Sequence, residues 1–367
     1  MKIEKSTTNT LQITRIPRAA VTEYFIHGSC AAAISETEVF EELFKYLSSH
    51  DAQPVLFRVF ASEPIRQQLL HQHAQSLGQL ACPVTWISQD HASHQVFGVQ
   101  AHAFSGRAVE AVMYQDTCVG CRYTDDGADY LQLSFLPSDR AADNVSQARA
   151  AFETCRHILL EAGLDFEHVA RTWLFTDDIL SWYDKLNQAR DAFFDRHVIF
   201  NKLVPASTGV GVSNFGGAKL LFEALAVRPG TAPVQIEKVD SPLQCSALDY
   251  RSSFSRAVHI RTGSHRRLLV SGTASIDEQG GTLFLGDTAK QIDKTMQVTE
   301  ALLNNADMGW QDVVSGIMYF KDDAEFHLLD TWFQRHNRSI PHVKVHADIC
   351  RDDLLFELEL EAIVHER

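Results

Sequence analysis

The sequence predicts an α+β fold in which mixed β-sheets carry their helices on one face. Two observations support this prediction. From Asp129 onward the chain contains one order of strands and helices twice, and the length of 367 residues exceeds what one hydrophobic core usually serves. Crossovers from strand through helix to strand within one sheet place the helices together on a single face. We therefore expect two or three modules.

Residues 1–116 are predicted to form the first α/β module. Strand, helix and two further strands are expected there, at Pro54–Phe60, Glu63–Leu80, Val84–Ile87 and Val96–Phe104. The segment Thr117–Asp129 is predicted to be a loop that leads into the next module. Its Cys118 and Cys121 could form half of a zinc site. No second CxxC or HxxxH follows at metal-site spacing, so we assign no metal ligands.

Two copies of one pattern occupy residues 117–240 and 241–367, the predicted central and C-terminal modules. Each copy has a strand, a helix, a strand that ends before two aspartates, a helix and a closing strand. In the first copy these elements are Tyr130–Leu136, Val145–Ala162, Arg171–Phe175, Ser181–His197 and Lys219–Val227. In the second copy they are Leu268–Ile276, Thr288–Ala306, Gly316–Phe320, Ala324–Asn337 and Leu354–Val364. Local similarities fix the alignment of the copies and make Leu221 equivalent to Glu357.

The C-terminal stretch predicts two strands, Val343–Cys350 and Leu354–Ala362, joined by a polar turn. In the second strand apolar residues alternate with Glu357, Glu359 and Glu361, so three carboxylates share one face. A solvated face is the simpler interpretation. If one carboxyl is instead desolvated, its pKa rises toward the range useful for proton donation. Glu357 is therefore a candidate acid.

Composition and charge limit the classes of function. The net charge of −14 opposes binding to nucleic acid or to an anionic membrane, because basic patches supply most of that affinity. No apolar run approaches the roughly 20 residues that span a bilayer, and residues 1–18 contain no secretory apolar segment. The seven scattered cysteines favour free thiols in a reducing compartment. We therefore expect a cytoplasmic protein.

The C-terminal copy resembles the RidA/YjgF family of enamine–imine deaminases. The segments that carry this resemblance are Leu269–Ile276, Gln291–Leu303, Trp310–Val314, Lys321–Asp323, Pro341 and Glu357–Ala362. Residues 129–228 resemble a diverged second copy, and residues 1–116 a third, further decayed one. Trimers of this family bury their open sheet faces against one another and place active sites between modules. The resemblance therefore implies an intrachain pseudo-trimer that is a monomer in solution.

One departure from the family pattern concerns the substrate-binding arginine of the deaminases. The deaminases carry this arginine two residues after a proline that corresponds to Pro205 and Pro341 of this chain. At the position of the arginine this chain has Ser207 and Val343. This difference argues against imine hydrolysis. The chain is similar instead to the chorismatases, on the evidence of Phe254–Ala257, Ser271–Ser275 and the position of Cys350 seven residues before Glu357.

The second resemblance implies cleavage of chorismate without a cofactor or a metal. A proton delivered to the terminal methylene of the enol-pyruvyl ether gives an oxocarbenium centre, which water or a ring hydroxyl attacks to release pyruvate. Glu357 would supply the proton. The second product is a hydroxybenzoate, with 3-hydroxybenzoate favoured, or a dihydroxycyclohexadienoate. Cys350 either borders the substrate ring and influences the product or is a small buried hydrophobe.

The two carboxylates of chorismate require cations and close backbone amides. The candidate substrate-binding residues are Arg256, Lys219, Arg335, Thr273, Ala274 and Gly209. Two alternatives stay open at this point. One is a non-catalytic, ligand-binding or regulatory RidA-like protein, and the other is an enamine/imine deaminase.

Overall fold

The chain folds into three six-stranded mixed sheets that share one topology. The computed structural model describes residues 3–30, 34–250 and 252–366, and of residues 249 and 250 it describes the backbone. In each sheet the sixth strand inserts between the third and the fourth. The fourth and fifth strands are parallel, and the other neighbours are antiparallel. The strand order is therefore repeated three times along one chain.

Each module contributes six strands and two helices in the order β-β-β-α-β-α-β-β. The first contains β1 (Glu4–Thr7), β2 (Leu11–Pro17), β3 (Thr22–Ser29), α1 (Glu36–Ser49), β4 (Gln53–Ala61), α2 (Glu63–Gly78), β5 (Val84–Ser88) and β6 (Gly98–Ser105). The second contains β7 (Glu110–Tyr114), β8 (Thr117–Asp125), β9 (Ala128–Phe135), α3 (Asn144–Glu161), β10 (Val169–Thr176), α4 (Ile179–Arg196), β11 (Ala206–Gly211) and β12 (Leu220–Pro229). The third contains β13 (Gln235–Val239), β14 (Ala257–Arg261), β15 (His265–Ala274), α5 (Thr288–Asn305), β16 (Val313–Phe320), α6 (Phe326–Arg335), β17 (Val343–His346) and β18 (Phe356–His365).

The three helices that follow the third strand of each module begin at a side-chain cap. Ser35 accepts a hydrogen bond from the Glu38 amide, and Asp143 and Asp287 cap α3 and α5 in the same way. A cap satisfies backbone amides that lack a partner in the first helical turn, so these residues fix where each helix starts. In the described part of the chain, no helix is both long and apolar enough to cross a membrane.

The predicted strands and helices of the two sequence copies are confirmed, with ends shifted by a few residues. The prediction of a loop over Thr117–Asp129 is wrong, because Thr117–Asp125 is strand β8. Its side chains at Val119, Cys121 and Tyr123 are buried with a period of two, but the turn residues Asp125–Gly127 favoured a loop in the prediction. The strand predicted over Val343–Cys350 ends at His346.

The second and third sheets begin before the predicted module boundaries at residues 116 and 240. Strand β7 ends at Tyr114 and pairs with β8, so it belongs to the second sheet. Strand β13 begins at Gln235 and pairs with β14 of the third sheet.

The helices cover the outer face of each sheet, and the inner faces of the three sheets meet. Phe152 of α3 packs with Leu131 and Phe222 of its own sheet. By contrast, one buried cluster joins Val59 of the first module, Ala206 of the second and Leu269 of the third. The predicted architecture, mixed sheets with helices on one face arranged as an intrachain pseudo-trimer, is confirmed.

Charged side chains are buried where the three sheets meet. Arg58, Arg171 and Arg267, one from each module, are 2–3% exposed. Arg58 Nε donates to Glu223 at 2.8 Å, and Arg171 Nη2 donates to Glu359 at 3.0 Å. A buried charge is stable only when it is paired, so this centre ties the modules to one another through ion pairs.

Candidate active site

A cleft between the second and third modules contains Glu357. Strand β11 lies beside β15 and is joined to the third module by hydrogen bonds. The Gly211 amide donates to the Asp348 carbonyl at 2.6 Å, and the Gly272 amide donates to Thr208 Oγ1 at 3.0 Å. These bonds fix the position of the second module relative to the third, and so the two sides of the cleft. The cleft therefore consists of residues far apart in sequence.

Glu357 points into this cleft over a glycine. A Cβ atom added to Gly272 would lie 2.1 Å from Glu357 Oε1, which no real contact allows. The side chain at residue 357 is therefore accommodated because residue 272 has none. Glu357 is 4% exposed, and it is the one carboxyl group among the described residues that line the cleft.

The surroundings of Glu357 raise the pKa of its carboxyl group to about 8, from an ordinary value of 4.5. Burial is the main cause, and the negative charge of Glu359 adds to it. Arg171 and Arg256 act in the opposite direction. Glu359 accepts hydrogen bonds from Trp173 Nε1 at 2.7 Å and from Arg171. Glu357 therefore carries a proton near neutral pH and can donate it.

Three arginines line the same cleft. Arg256 donates from Nε and Nη2 to the Cys245 carbonyl at 3.0 Å, and Arg190 Nη2 donates to Asn187 Oδ1 at 2.6 Å. Arg351 Nη1 donates to a backbone carbonyl at 2.5 Å. Three guanidinium groups face one carboxyl group that is mostly neutral. The cleft is therefore positively charged in a chain of net charge −14, and it suits a ligand with two carboxylates.

The structure brings five of the predicted site residues together and leaves three elsewhere. Glu357, Cys350, Arg256, Ala274 and Gly209 all line the cleft. Thr273 lies between two lining residues but is fully buried, and its hydroxyl donates to the Ser271 carbonyl.

Lys219 and Arg335 lie outside the cleft. Lys219 forms an ion pair with Asp177 at the end of its own module. Arg335 is 57% exposed on α6 and pairs with Asp293. The orientation of a side chain around its helix or strand is what places it outside the cleft.

Burial raises the pKa of the Cys350 thiol to about 12, so the group is a neutral thiol and not a thiolate. A hydrogen bond with Tyr183 acts in the opposite direction. Cys350 can therefore border a ligand, but its protonation state does not favour nucleophilic attack.

Sequence reasoning missed Arg190, Tyr183 and Arg351. Arg190 lies on the buried stripe of α4, four residues after Leu186 and three before Phe193. An arginine on the apolar side of an amphipathic helix is costly unless it is paired or functional, and this was a signal available in the sequence. Arg351 lies in the polar turn between the two predicted C-terminal strands, and the composition of that turn does not indicate a binding role.

The cleft encloses about 40 Å³, which is less than the roughly 300 Å³ of typical ligand pockets. Binding of a ring-sized ligand therefore requires the lining side chains to move apart. In the described ranges, no group of three or more histidine, cysteine, aspartate or glutamate side chains is placed to hold a metal ion.

Strand pairing identifies the positions equivalent to Glu357 in the other two modules. Glu357, Leu221 and Gly98 each lie opposite an aromatic residue of the neighbouring strand, namely Tyr319, Phe175 and Phe60. The predicted equivalence of Leu221 and Glu357 is therefore confirmed. Of the three modules, only the third carries a carboxyl group at this position.

Comparison with protein families defines the class of this chain. A family model described as endoribonuclease L-PSP matches residues 136–227 and 245–366, more than half of the chain. The chain belongs to this family, which is also called RidA/YjgF. A search of curated proteins finds no match.

Solved structures add a more particular similarity. A chorismatase crystal structure superposes with a TM-score of 0.65 at 16% identity, covering 94% of this chain and 100% of the other. A putative endoribonuclease L-PSP from Entamoeba histolytica matches at 20% identity, with a TM-score of 0.31, over 35% of this chain and 100% of its own. The YjgF gene product of E. coli matches at 18% identity, with a TM-score of 0.28, over 35% of this chain and 98% of its own. The predicted resemblance to the chorismatases is thus confirmed at the level of the fold.

Proposed function

We propose that this chain is a chorismatase that cleaves the enol-pyruvyl ether of chorismate and releases pyruvate. The observation that carries the proposal is Glu357, a protonated carboxyl group in a cleft lined by three arginines. A dicarboxylate that needs one proton for its cleavage matches this combination of charges. The similarity of fold to a chorismatase over 94% of the chain supports the same substrate.

The proposed reaction begins with proton transfer from Glu357 to the terminal methylene carbon of the enol-pyruvyl group. The ether carbon then bears positive charge as an oxocarbenium ion. Water adds to this carbon and loses a proton to the Glu357 carboxylate, and the resulting hemiketal collapses by cleavage of its bond to the ring oxygen, which gives pyruvate and a dihydroxycyclohexadienoate. Attack by a ring hydroxyl instead gives a cyclic ketal. Loss of a ring proton with cleavage of one ring C–O bond then aromatises the ring, and the remaining hemiketal collapses to pyruvate and a hydroxybenzoate. We favour 3-hydroxybenzoate. In this scheme the thiol of Cys350 borders the ring and influences which product forms.

Arg256, Arg190 and Arg351 are the proposed partners of the two substrate carboxylates. Arginine presents a planar pair of N–H donors that matches a carboxylate, so two such contacts would fix the orientation of the substrate. The glycines on both walls, Gly209 and Gly272, allow the backbone to approach the bound ring closely. No cofactor takes part in the proposed reaction.

The decisive experiment is pyruvate release from chorismate by the wild-type protein and by Glu357→Gln. The amide keeps the shape of the side chain but cannot donate the proton of a carboxylic acid. Turnover should therefore fall roughly 10²- to 10⁴-fold, the usual contribution of general acid catalysis. Mass spectrometry of the wild-type reaction would identify the second product.

Glu361→Gln is the matched control, because Glu361 lies on the same strand face but pairs with Arg267 outside the cleft. Its activity per folded molecule should stay close to that of the wild type. Pyruvate release by Glu357→Gln at the wild-type rate would refute the assignment of the acid. A wild-type protein that binds chorismate without releasing pyruvate would favour the non-catalytic alternative.

A further inference from the structure

A second and wider cleft lies between the first and second modules, at the place that corresponds to the Glu357 cleft. It encloses about 510 Å³ and is lined by Leu221, the residue equivalent to Glu357. Trp86 of β5 occupies the position that Gly209 has in β11, since each pairs with the corresponding residue of the preceding parallel strand. The second cleft therefore shares the architecture of the first but has no carboxyl group in place of the acid.

The charged residues that line this second cleft are Arg66 and Arg140. No aspartate or glutamate is found among its described lining residues. Arg66 Nη1 lies 3.2 Å from Glu63, whose side chain is 44% exposed, and Arg66 Nε is buried without a hydrogen-bond partner. Arg140 Nη1 donates to the Gly216 carbonyl at 2.7 Å. In a chain of net charge −14, this concentration of positive charge favours an anion.

Flat aromatic surfaces flank Arg66. The Arg66 guanidinium lies 4.8 Å from the ring centre of Phe215 and 5.7 Å from that of Trp86. Tyr114 contributes a third ring to the wall. Rings beside a guanidinium group provide both a stacking surface and a carboxylate partner, so the ligand should be a planar ring that carries one carboxylate.

We propose that the second cleft binds a planar ring carboxylate, such as a benzoate, and leaves it chemically unchanged. The arginines and rings supply affinity, and Leu221 cannot donate a proton. The proposal does not depend on the reaction assigned to the first cleft, because it concerns binding at residues that the first cleft does not share.

The third interface, between the third and first modules, is closely packed at the equivalent position. A Cβ atom added to Gly98, the third equivalent position, would lie 3.3 Å from Cβ and Cγ1 of Val343. The interface is therefore packed tightly at the point where the other two have clefts. The three pseudo-equivalent positions of the chain have thus diverged into a candidate reactive cleft, a binding cleft and a closed contact.

Isothermal titration calorimetry with benzoate and 3-hydroxybenzoate tests the proposal. The protein should carry Arg256→Ala, so that binding at the first cleft is weakened. We expect one site per chain, and Arg66→Gln should weaken its affinity about tenfold or more through loss of a charge-assisted hydrogen bond. Benzyl alcohol, which has the ring but no charge, should bind at least tenfold more weakly than benzoate.

Two further experiments test whether Arg66→Gln weakens binding by altering the fold. Circular dichroism and thermal melting should show that Arg66→Gln is folded. Ser138→Trp, at an exposed position on the rim, should block the same site without touching the core. Benzoate binding that survives both variants, or no binding by the folded Arg256→Ala protein at millimolar ligand, would overturn the proposal.

Discussion

Glu357 depends on the missing side chain of Gly272. A methyl group at residue 272 would lie 2.1 Å from Glu357 Oε1 and 2.9 Å from its Cδ, and so would displace the carboxyl group. Gly272 has no positive φ, so alanine meets only a steric conflict there and no backbone strain. We expect Gly272→Ala to reduce pyruvate release by about tenfold or more while the protein stays folded.

Gly209→Ala provides the matched control for this prediction. The glycine lines the same cleft, yet its added Cβ would meet its nearest atom, Tyr183 Cε2, at an ordinary 3.7 Å. Gly209→Ala should reduce the rate of pyruvate release less than Gly272→Ala does. Equal losses in both variants would show that reduced space in the cleft, and not displacement of the acid, explains the result.

The raised pKa of Glu357 predicts how activity depends on pH. The protonated form is the proposed acid, and its pKa is about 8. The rate constant should therefore be level at lower pH and fall about tenfold per pH unit above the pKa. A pH profile of kcat/KM for pyruvate release measures this limb. A limb near the ordinary value of 4.5 would contradict the proposed environment of the carboxyl group.

The same shift affects stability in a defined direction. Because the folded pKa of Glu357 is raised, its protonated form stabilises the native state fully below about pH 4.5, and this contribution is lost as the pH rises through about 8. The melting temperature of the wild type minus that of Glu357→Gln should therefore decrease between about pH 5 and about pH 9. A constant difference would indicate that residue 357 does not titrate in this range.

At the scale of the element, strand β18 places two carboxyl groups with different roles on one face. Glu357 enters the cleft, whereas Glu359 is held by Arg171 and Trp173 in the charged centre. Glu359→Gln would remove a negative charge that raises the pKa of Glu357 and would leave Arg171 without its anion. The basic limb of the pH profile should consequently move to lower pH.

Glu223→Gln is the control for that measurement. Glu223 is also buried in the charged centre, where it pairs with Arg58, but it belongs to β12 and does not adjoin the acid. Both variants should lose stability, because each removes the nearest anionic partner of a buried arginine. Only Glu359→Gln should shift the pH profile. An unshifted profile for this variant would show that Glu359 does not influence the pKa of Glu357.

The sequence predicts elements better than it predicts their surroundings. The alternation along β18 identified a two-faced strand and its three carboxyl groups. It could not show that Glu357 and Glu359 are buried, because residues of another module, more than 140 positions earlier, help to cover them. Strand β8 was missed for a different reason, since the turn residues at its end favoured a loop over the whole segment.

Three of the five predicted residues that line the cleft lie on strands. Glu357, Ala274 and Gly209 belong to strands whose register the repeat fixes, and they do line the cleft. Lys219 and Arg335 were placed there without knowledge of side-chain direction. Arg190 was overlooked because it shares the stripe of α4 with core residues, and only the packing of α4 against the cleft distinguishes it.

At the scale of the whole molecule, both walls of each cleft belong to one chain. No second copy is needed to complete the Glu357 cleft, so we expect a single chain of 41.2 kDa in solution. Light scattering coupled to gel filtration measures this mass. A mass of three chains would show that the outer surfaces of the modules also associate.

Covalent linkage of the modules has a consequence for how such a site can change. In a ring of identical subunits, every substitution is copied into all the clefts at once, and dilution separates their walls. Here each position is encoded separately, as Glu357, Leu221 and Gly98 show, and the connecting chain sets the local concentration of the walls. One cleft can therefore gain or lose a chemical group by a single codon change while its neighbours go on supporting it. Specific activity should also stay constant at any enzyme concentration.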